Sequence, residues 1–237
     1  MSNFTTTRWS LVLRAGFGSV ETAAQALEEL CRIYRYPIYA YSRWLKDSHE
    51  DAEDLTQSFF AELLEKNFFA KARPEKGKFR SFLLTSFRLH RAKHRERITA
   101  QKRGGGANQF SIDNVPAEER FAAELRDPAL TPDQQFDRAW ALTILDEAHG
   151  RLAAEYRASG KEPLFKRLGG LLQSPEDSPT YAVLAAQLGK SEPSIKMDVS
   201  RMKARFGKLL RSVVEETVSE PEEVEEELRY LLRLLSN

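Results

Sequence analysis

Residues 180–213 read TYAVLAAQLGKSEPSIKMDVSRMKARFGKLLRSV, and the pattern in this stretch decides the architecture of the chain. Thr180 stands where a helix N-cap belongs, ahead of a short apolar face of Tyr181, Leu184, Ala185 and Leu188. Gly189 suits the tight turn that follows, and Ser191 is placed to cap a second helix. In that helix Ile195, Val199, Met202, Phe206, Leu209 and Val213 fall on one stripe at helical spacing. The opposite arc presents Ser194, Lys196, Met197, Ser200, Arg201, Lys203 and Lys208. A short helix, a glycine turn and a second helix with a basic, hydroxyl-bearing outer face match a reader of the DNA major groove. An ordinary helical hairpin with a solvated basic face is the competing interpretation.

Upstream, the pattern stays helical. Leu27, Leu30, Tyr34, Ile38, Tyr41 and Leu45 step by three or four from Ala23 to Trp44, broken only by Pro37. A second helix is expected from Glu50 to Glu65, and a third from about Phe79 to Lys102, stopping at Gly104-Gly105-Gly106. Asn67 to Lys78, with Pro74 and Gly77, reads as a loop. Trp140, Ile144, Ala148, Leu152 and Tyr156 define a further amphipathic helix. The fold class expected is all-α, with two small helical domains joined by a flexible linker and followed by a C-terminal tail helix. The boundaries are 1–103, an acidic linker over 104–135, a helix-turn-helix domain over 136–214 and an acidic extension over 215–237. In the tail, Ser219 is the N-cap candidate, with Glu222 three residues on.

The net charge of +1 conceals sorted charges. From Asp47 to Glu65 the charged residues are all acidic: Asp47, Glu50, Asp51, Glu53, Asp54, Glu62 and Glu65. From Lys71 to Arg103 twelve lysines and arginines face only Glu75 and Glu96, with Phe79, Phe82, Phe87, His90 and His94 interleaved. Such a surface suits a phosphate backbone and stacked bases, although Phe82 and Phe87 have the spacing of core residues. His90 and His94 stand four apart, but their flanks are basic and no third ligand is evident, so no metal is expected. No cofactor loop and no catalytic constellation is apparent, so the chain reads as a non-enzyme. Cys31 is the only cysteine, which excludes an intrachain disulfide and suits a reducing compartment. No apolar run approaches the roughly 20 residues of a membrane span. A cytoplasmic protein without a membrane partner is expected.

Two segments in order resemble the extracytoplasmic-function (group 4) sigma factors of bacterial RNA polymerase. Asp51-Ala-Glu-Asp-Leu-Thr-Gln-Ser-Phe-Phe60 is similar to that family's polymerase-binding segment. Tyr181-Ala-Val-Leu-Ala-Ala-Gln-Leu-Gly189, with Ser194-Ile-Lys and Ser200-Arg201, is similar to its helix-turn-helix for the −35 promoter element. The likeness covers about residues 23–103 and 136–212. It implies that Asp51, Glu53, Asp54 and Gln57 face the clamp helices of the largest subunit of core RNA polymerase. It also implies that Asn67, Lys76, Lys78, Arg80, Arg88, Arg91, Lys93 and Arg95 contact the −10 element and the melted strand. Ser194, Lys196, Ser200 and Arg201 would enter the −35 major groove, with Lys203 and Lys208 on phosphates. Promoter DNA and core polymerase are then the partners, with an anti-sigma or other regulatory protein as a further class. The acidic linker would thread the polymerase cleft.

The chain departs from the family pattern at Phe82, where tryptophan is usual, and near Leu89 and Lys93, where asparagine and aspartate are usual. The tail lies beyond the family's usual end. Val224, Leu228, Leu231, Leu232 and Leu235 share one side of it, behind a run of glutamates. It is expected either to pack back on its domain or to mask a basic DNA-reading surface. A free-standing helix-turn-helix regulator would explain the C-terminal half and leave Asp51–Gln57 without a task. A recombinase or nuclease would need an acidic triad or nucleophile that does not stand out.

Overall fold

In the computed structural model the described residues are 20–65, 78–101, 115–123, 129–173, 179–218 and 221–235. They are helical throughout, with no strand among them. The helices are α1 (Val20–Trp44), α2 (His49–Glu65), α3 (Phe79–Gln101), α4 (Val115–Ala123), α5 (Pro132–Ala158), α6 (Glu162–Leu168), α7 (Gly170–Gln173), α8 (Tyr181–Leu188), α9 (Glu192–Glu215) and α10 (Val224–Leu235). A 3₁₀ turn at Pro221–Glu223 leads into α10. Two compact units result, one formed by 1–143 with 214–237 and the other by 144–213. The divisions fall inside α5 and α9.

In the first unit α1, α2 and α3 pack through their apolar faces. Leu30, Ile33, Tyr34 and Ile38 of α1, Leu55, Phe59 and Leu63 of α2, and Phe79, Leu83 and Phe87 of α3 are all buried. Edge-to-face rings tie the three together: Phe87 lies 5.2 Å from Phe59 and 6.1 Å from Tyr41, and Phe79 lies 5.3 Å from Tyr34. Pro37 does not break α1, contrary to the sequence expectation. An interior proline costs about 3 kcal/mol. Its neighbours Tyr34, Ile38 and Tyr41 are buried, and their packing holds the helix through the missing hydrogen bond.

The stretch read as a flexible linker contains a docked helix. Ala117 and Phe121 of α4 are buried, and Phe121 stacks edge-on against Tyr39 and Trp44 of α1. Glu118 receives Nε and Nη2 of Arg43 at 3.0 and 2.8 Å and also the Tyr39 hydroxyl. Burial on its own would raise the Glu118 carboxyl, but the bonds from Arg43 and Tyr39 outweigh it and hold the group below its usual value. The neighbouring ranges 102–114 and 124–128 lie outside the described residues, as does Ser219.

In the second unit the expected caps form. The Thr180 hydroxyl accepts from the Val183 amide, and the Ser191 hydroxyl accepts from that of Ser194. Gly189 turns the chain with φ +62°, ψ 33°, and the following amide, Lys190, donates to the Ala185 carbonyl at 3.0 Å. A side chain at Gly189 would meet nothing within 4 Å, so only the backbone disfavours one. Gly189→Ala is therefore expected to destabilise 181–213 by about 1 kcal/mol. Faster hydrogen exchange over α8 and the first turns of α9 would show it, and unchanged exchange would contradict it.

Candidate nucleic-acid interface

The helix-turn-helix divides its side chains as the periodicity requires. Leu184, Ala185, Ile195, Val199, Met202, Leu209 and Val213 are buried, and Phe206 is half-buried. Lys196, Met197, Ser200, Arg201, Lys203 and Lys208 are exposed, and Ser194 is half-buried beside its cap. Met197, Ser200, Arg201 and Lys208 lie on one outward stripe, with Lys196 and Lys203 on its flank. Arg201, Lys203 and Lys208 make no ion pair among the described residues. The Lys196 ammonium lies 5.9 Å from the centre of the Tyr181 ring. Two neighbouring charges are consumed internally: Lys190 pairs with Asp198 at 2.7 Å, and Arg205 pairs with Glu155. The surviving stripe of methyl-bearing, hydroxyl and guanidinium groups has the chemistry for base edges, with the lysines set for phosphates.

In the first unit Ser48 caps α2 by accepting the Asp51 amide at 3.1 Å. Asp51 and Gln57 are exposed and Asp54 is half-buried, so these three form an outward ridge. Burial and then the nearby Asp51 charge raise the Asp54 carboxyl above its ordinary value. Glu53 departs from the expectation that it faces outward. It is buried against α1, and its carboxylate takes Nη2 of Arg35 at 2.9 Å. Its position is consistent with periodicity, since it lies three residues before buried Thr56 and seven before buried Phe60.

The basic helix α3 is far less bare than its composition implies. Arg91 forms a fork on Asp47, Nε and Nη2 each at 2.7 Å, and Arg95 reaches the same carboxylate at 3.1 Å. Arg88 donates to the Tyr41 hydroxyl at 2.9 Å and pairs with Asp133. Arg80 is buried, pairs with Asp137 and Glu227, and lies with its guanidinium 4.6 Å from the Trp140 ring centre. Lys78 is half-buried and pairs with Glu227. Its ammonium is shifted below its usual value, by burial first and then by the Arg80 charge. Lys93 and Arg97 are exposed and make no ion pair among the described residues. Asn67 and Lys76 lie outside the described residues. Of the aromatics, Phe79 and Phe87 are core and Phe82 is half-buried.

The two histidines do not form a metal pair. His90 places Nδ1 2.5 Å from Glu62 and Nε2 2.9 Å from the Ser58 hydroxyl, so both ring nitrogens are occupied. The His94 ring stacks at 6.4 Å, and burial followed by the His90 charge shifts it below the usual imidazole value. Among the described residues no group of three His, Cys, Asp or Glu side chains is arranged for a metal ion, and no helix is long and apolar enough to cross a membrane. No family model, curated protein or solved structure matches the chain.

Proposed function

We propose that the chain is a sigma-type initiation factor that binds core RNA polymerase, reads the −35 and −10 promoter elements and helps to open promoter DNA. The observation that carries this reading is one chain's combination of an outward acidic ridge, Asp51–Asp54–Gln57, with a capped helix-turn-helix that presents Arg201, Lys203 and Lys208, which make no ion pair among the described residues. The ridge suits a basic helical partner, where charge complementarity speeds and orients docking. The helix-turn-helix suits duplex DNA. A factor that recruits a polymerase to a DNA site needs both. A free-standing helix-turn-helix regulator is the second reading, favoured by the internal pairing of Arg80, Arg88, Arg91 and Arg95, which leaves α9 as the more accessible basic surface.

Run-off transcription with purified core polymerase on a promoter library tests the choice. The full chain is expected to direct discrete transcripts, and the enriched templates would reveal the target sequence. Arg201→Ala is expected to lower promoter-specific output by about tenfold, the worth of one good base contact, while leaving polymerase binding unchanged. Specific DNA binding without polymerase association or transcripts would favour the regulator instead.

A further inference from the structure

The acidic tail joins the first unit and closes over the edge where α3 begins. Glu227 is 0% exposed, yet it is a charged residue on a surface helix, and it meets both Lys78 and Arg80. Tyr230, one turn on, donates its hydroxyl to Asp137 at 2.5 Å and lies under both cations, with ring-centre distances of 5.7 Å to Lys78 and 5.1 Å to Arg80. Val224 and Leu231 are buried on the same side, whereas Leu232 is 56% exposed. Two cations and two carboxylates, Lys78 and Arg80 against Glu227 and Asp137, therefore form a charge-balanced cluster in which Arg80 and Glu227 are buried and Lys78 and Asp137 half-buried. While α10 stays in place, Arg80 has no route to a phosphate.

We propose that α10 is a displaceable lid on a site for an anionic nucleic-acid strand, with the Glu227 carboxylate standing where strand phosphates bind. The inference rests on the sigma reading of Lys78 and Arg80 as strand contacts. Two features suit a lid better than a permanent part of the core. A buried ion pair adds little net stability compared with apolar packing, and its best-attested use is to set a specific, switchable arrangement. At twelve residues, α10 is also too short to persist as a free helix, so its docking and its folding are one reversible step. A strand that brings phosphates to Lys78 and Arg80 replaces the charge that Glu227 supplies, and the released helix melts.

The test uses the full chain and a fluorescein-labelled, mixed-sequence single-stranded DNA oligonucleotide at low salt. Glu227→Gln is expected to bind it about tenfold more tightly than the unaltered protein, the lid's closing energy being removed from the cost of binding. Glu222→Gln makes the same change in net charge at an exposed position of the preceding turn and is expected to shift affinity less than twofold. Tyr230→Phe removes the Asp137 bond without changing charge and is expected to tighten binding by about threefold. Hydrogen exchange of the unaltered chain needs no variant: saturating oligonucleotide should strip protection from 224–235 and leave α1 and α2 protected. Equal affinities for Glu227→Gln and Glu222→Gln, or a tail that stays protected when the strand is bound, would overturn the lid. The sigma reading fails by a different result, the absence of polymerase-dependent transcripts from the full chain.

Discussion

Replacing Asp51 and Asp54 with lysine in the full chain is expected to weaken association with core RNA polymerase by about a hundredfold, or roughly 3 kcal/mol, and to lower run-off output in step. Both groups project from the outward ridge of α2, and burial first and then the like charge of Asp51 hold the Asp54 carboxyl above its ordinary value. A cationic partner relieves that repulsion as well as adding its own attraction, so reversal loses both. Lysine at position 51, in the first turn, also opposes the positive end of the helix, at about 0.5 kcal/mol, which helical content by circular dichroism would register. Glu53→Gln separates contact from fold. Its side chain faces Arg35 inside the unit, so that variant is expected to lower stability while leaving polymerase affinity of the folded protein near normal. Unchanged binding of the double reversal, or an equal loss with Glu53→Gln, would remove the ridge from the interface.

The parts of the molecule visible in the sequence were those encoded by short-range chemistry. Thr180, Gly189 and Ser191 act within three or four residues of themselves, and the buried stripe of α9 repeats at the helical period, so local pattern suffices. The parts that were not visible depend on partners far along the chain. Arg91 finds Asp47 across 44 residues, Arg43 finds Glu118 across 75, and Lys78 finds Glu227 across 149. Charge sorting was read as two surfaces meant for outside partners. In the folded unit the acidic and basic blocks are partly each other's counterions. The linker was misjudged for a related reason: its prolines and acids suggested a tether, while Ala117, Glu118 and Phe121, a single helical face, were enough to dock α4. For the candidate site, the exposed basic face of α9 was legible residue by residue. The burial of Glu53 and Arg80 was not, because a charge that pairs inward has the same letter as one that faces solvent.

Asp47→Ala is expected to destabilise the first unit by about 3 kcal/mol at pH 7, because it leaves the largely buried Arg91 guanidinium without its counterion. Asp47 sits in the turn between α1 and α2, where Lys46 adopts a left-handed φ of 68° and so directs the carboxylate back toward α3. There it accepts the Arg91 fork, Arg95, and the Ser42 hydroxyl at 2.6 Å. Burial by itself would raise the carboxyl, but the bonds from Arg91 and Ser42 and the charges of Arg91 and Arg95 outweigh it, and the group lies below its ordinary value. The folded value is thus below the unfolded one, about 3.9, so the stabilisation is fully present above that pH and is lost as acid protonates the folded carboxylate. The gap between wild type and Asp47→Ala should accordingly close on acidification below about pH 4. Tryptophan fluorescence during urea denaturation reports the effect, since Trp44 and Trp140, the tryptophans among the described residues, both belong to the first unit. A gap that stays constant from pH 7 to pH 3 would mean that Asp47 acts through packing and not through charge. In that case the Arg91 and Arg95 side chains would be no more restrained than an ordinary solvated pair, and α3 would present a more open basic face than its ion pairs imply.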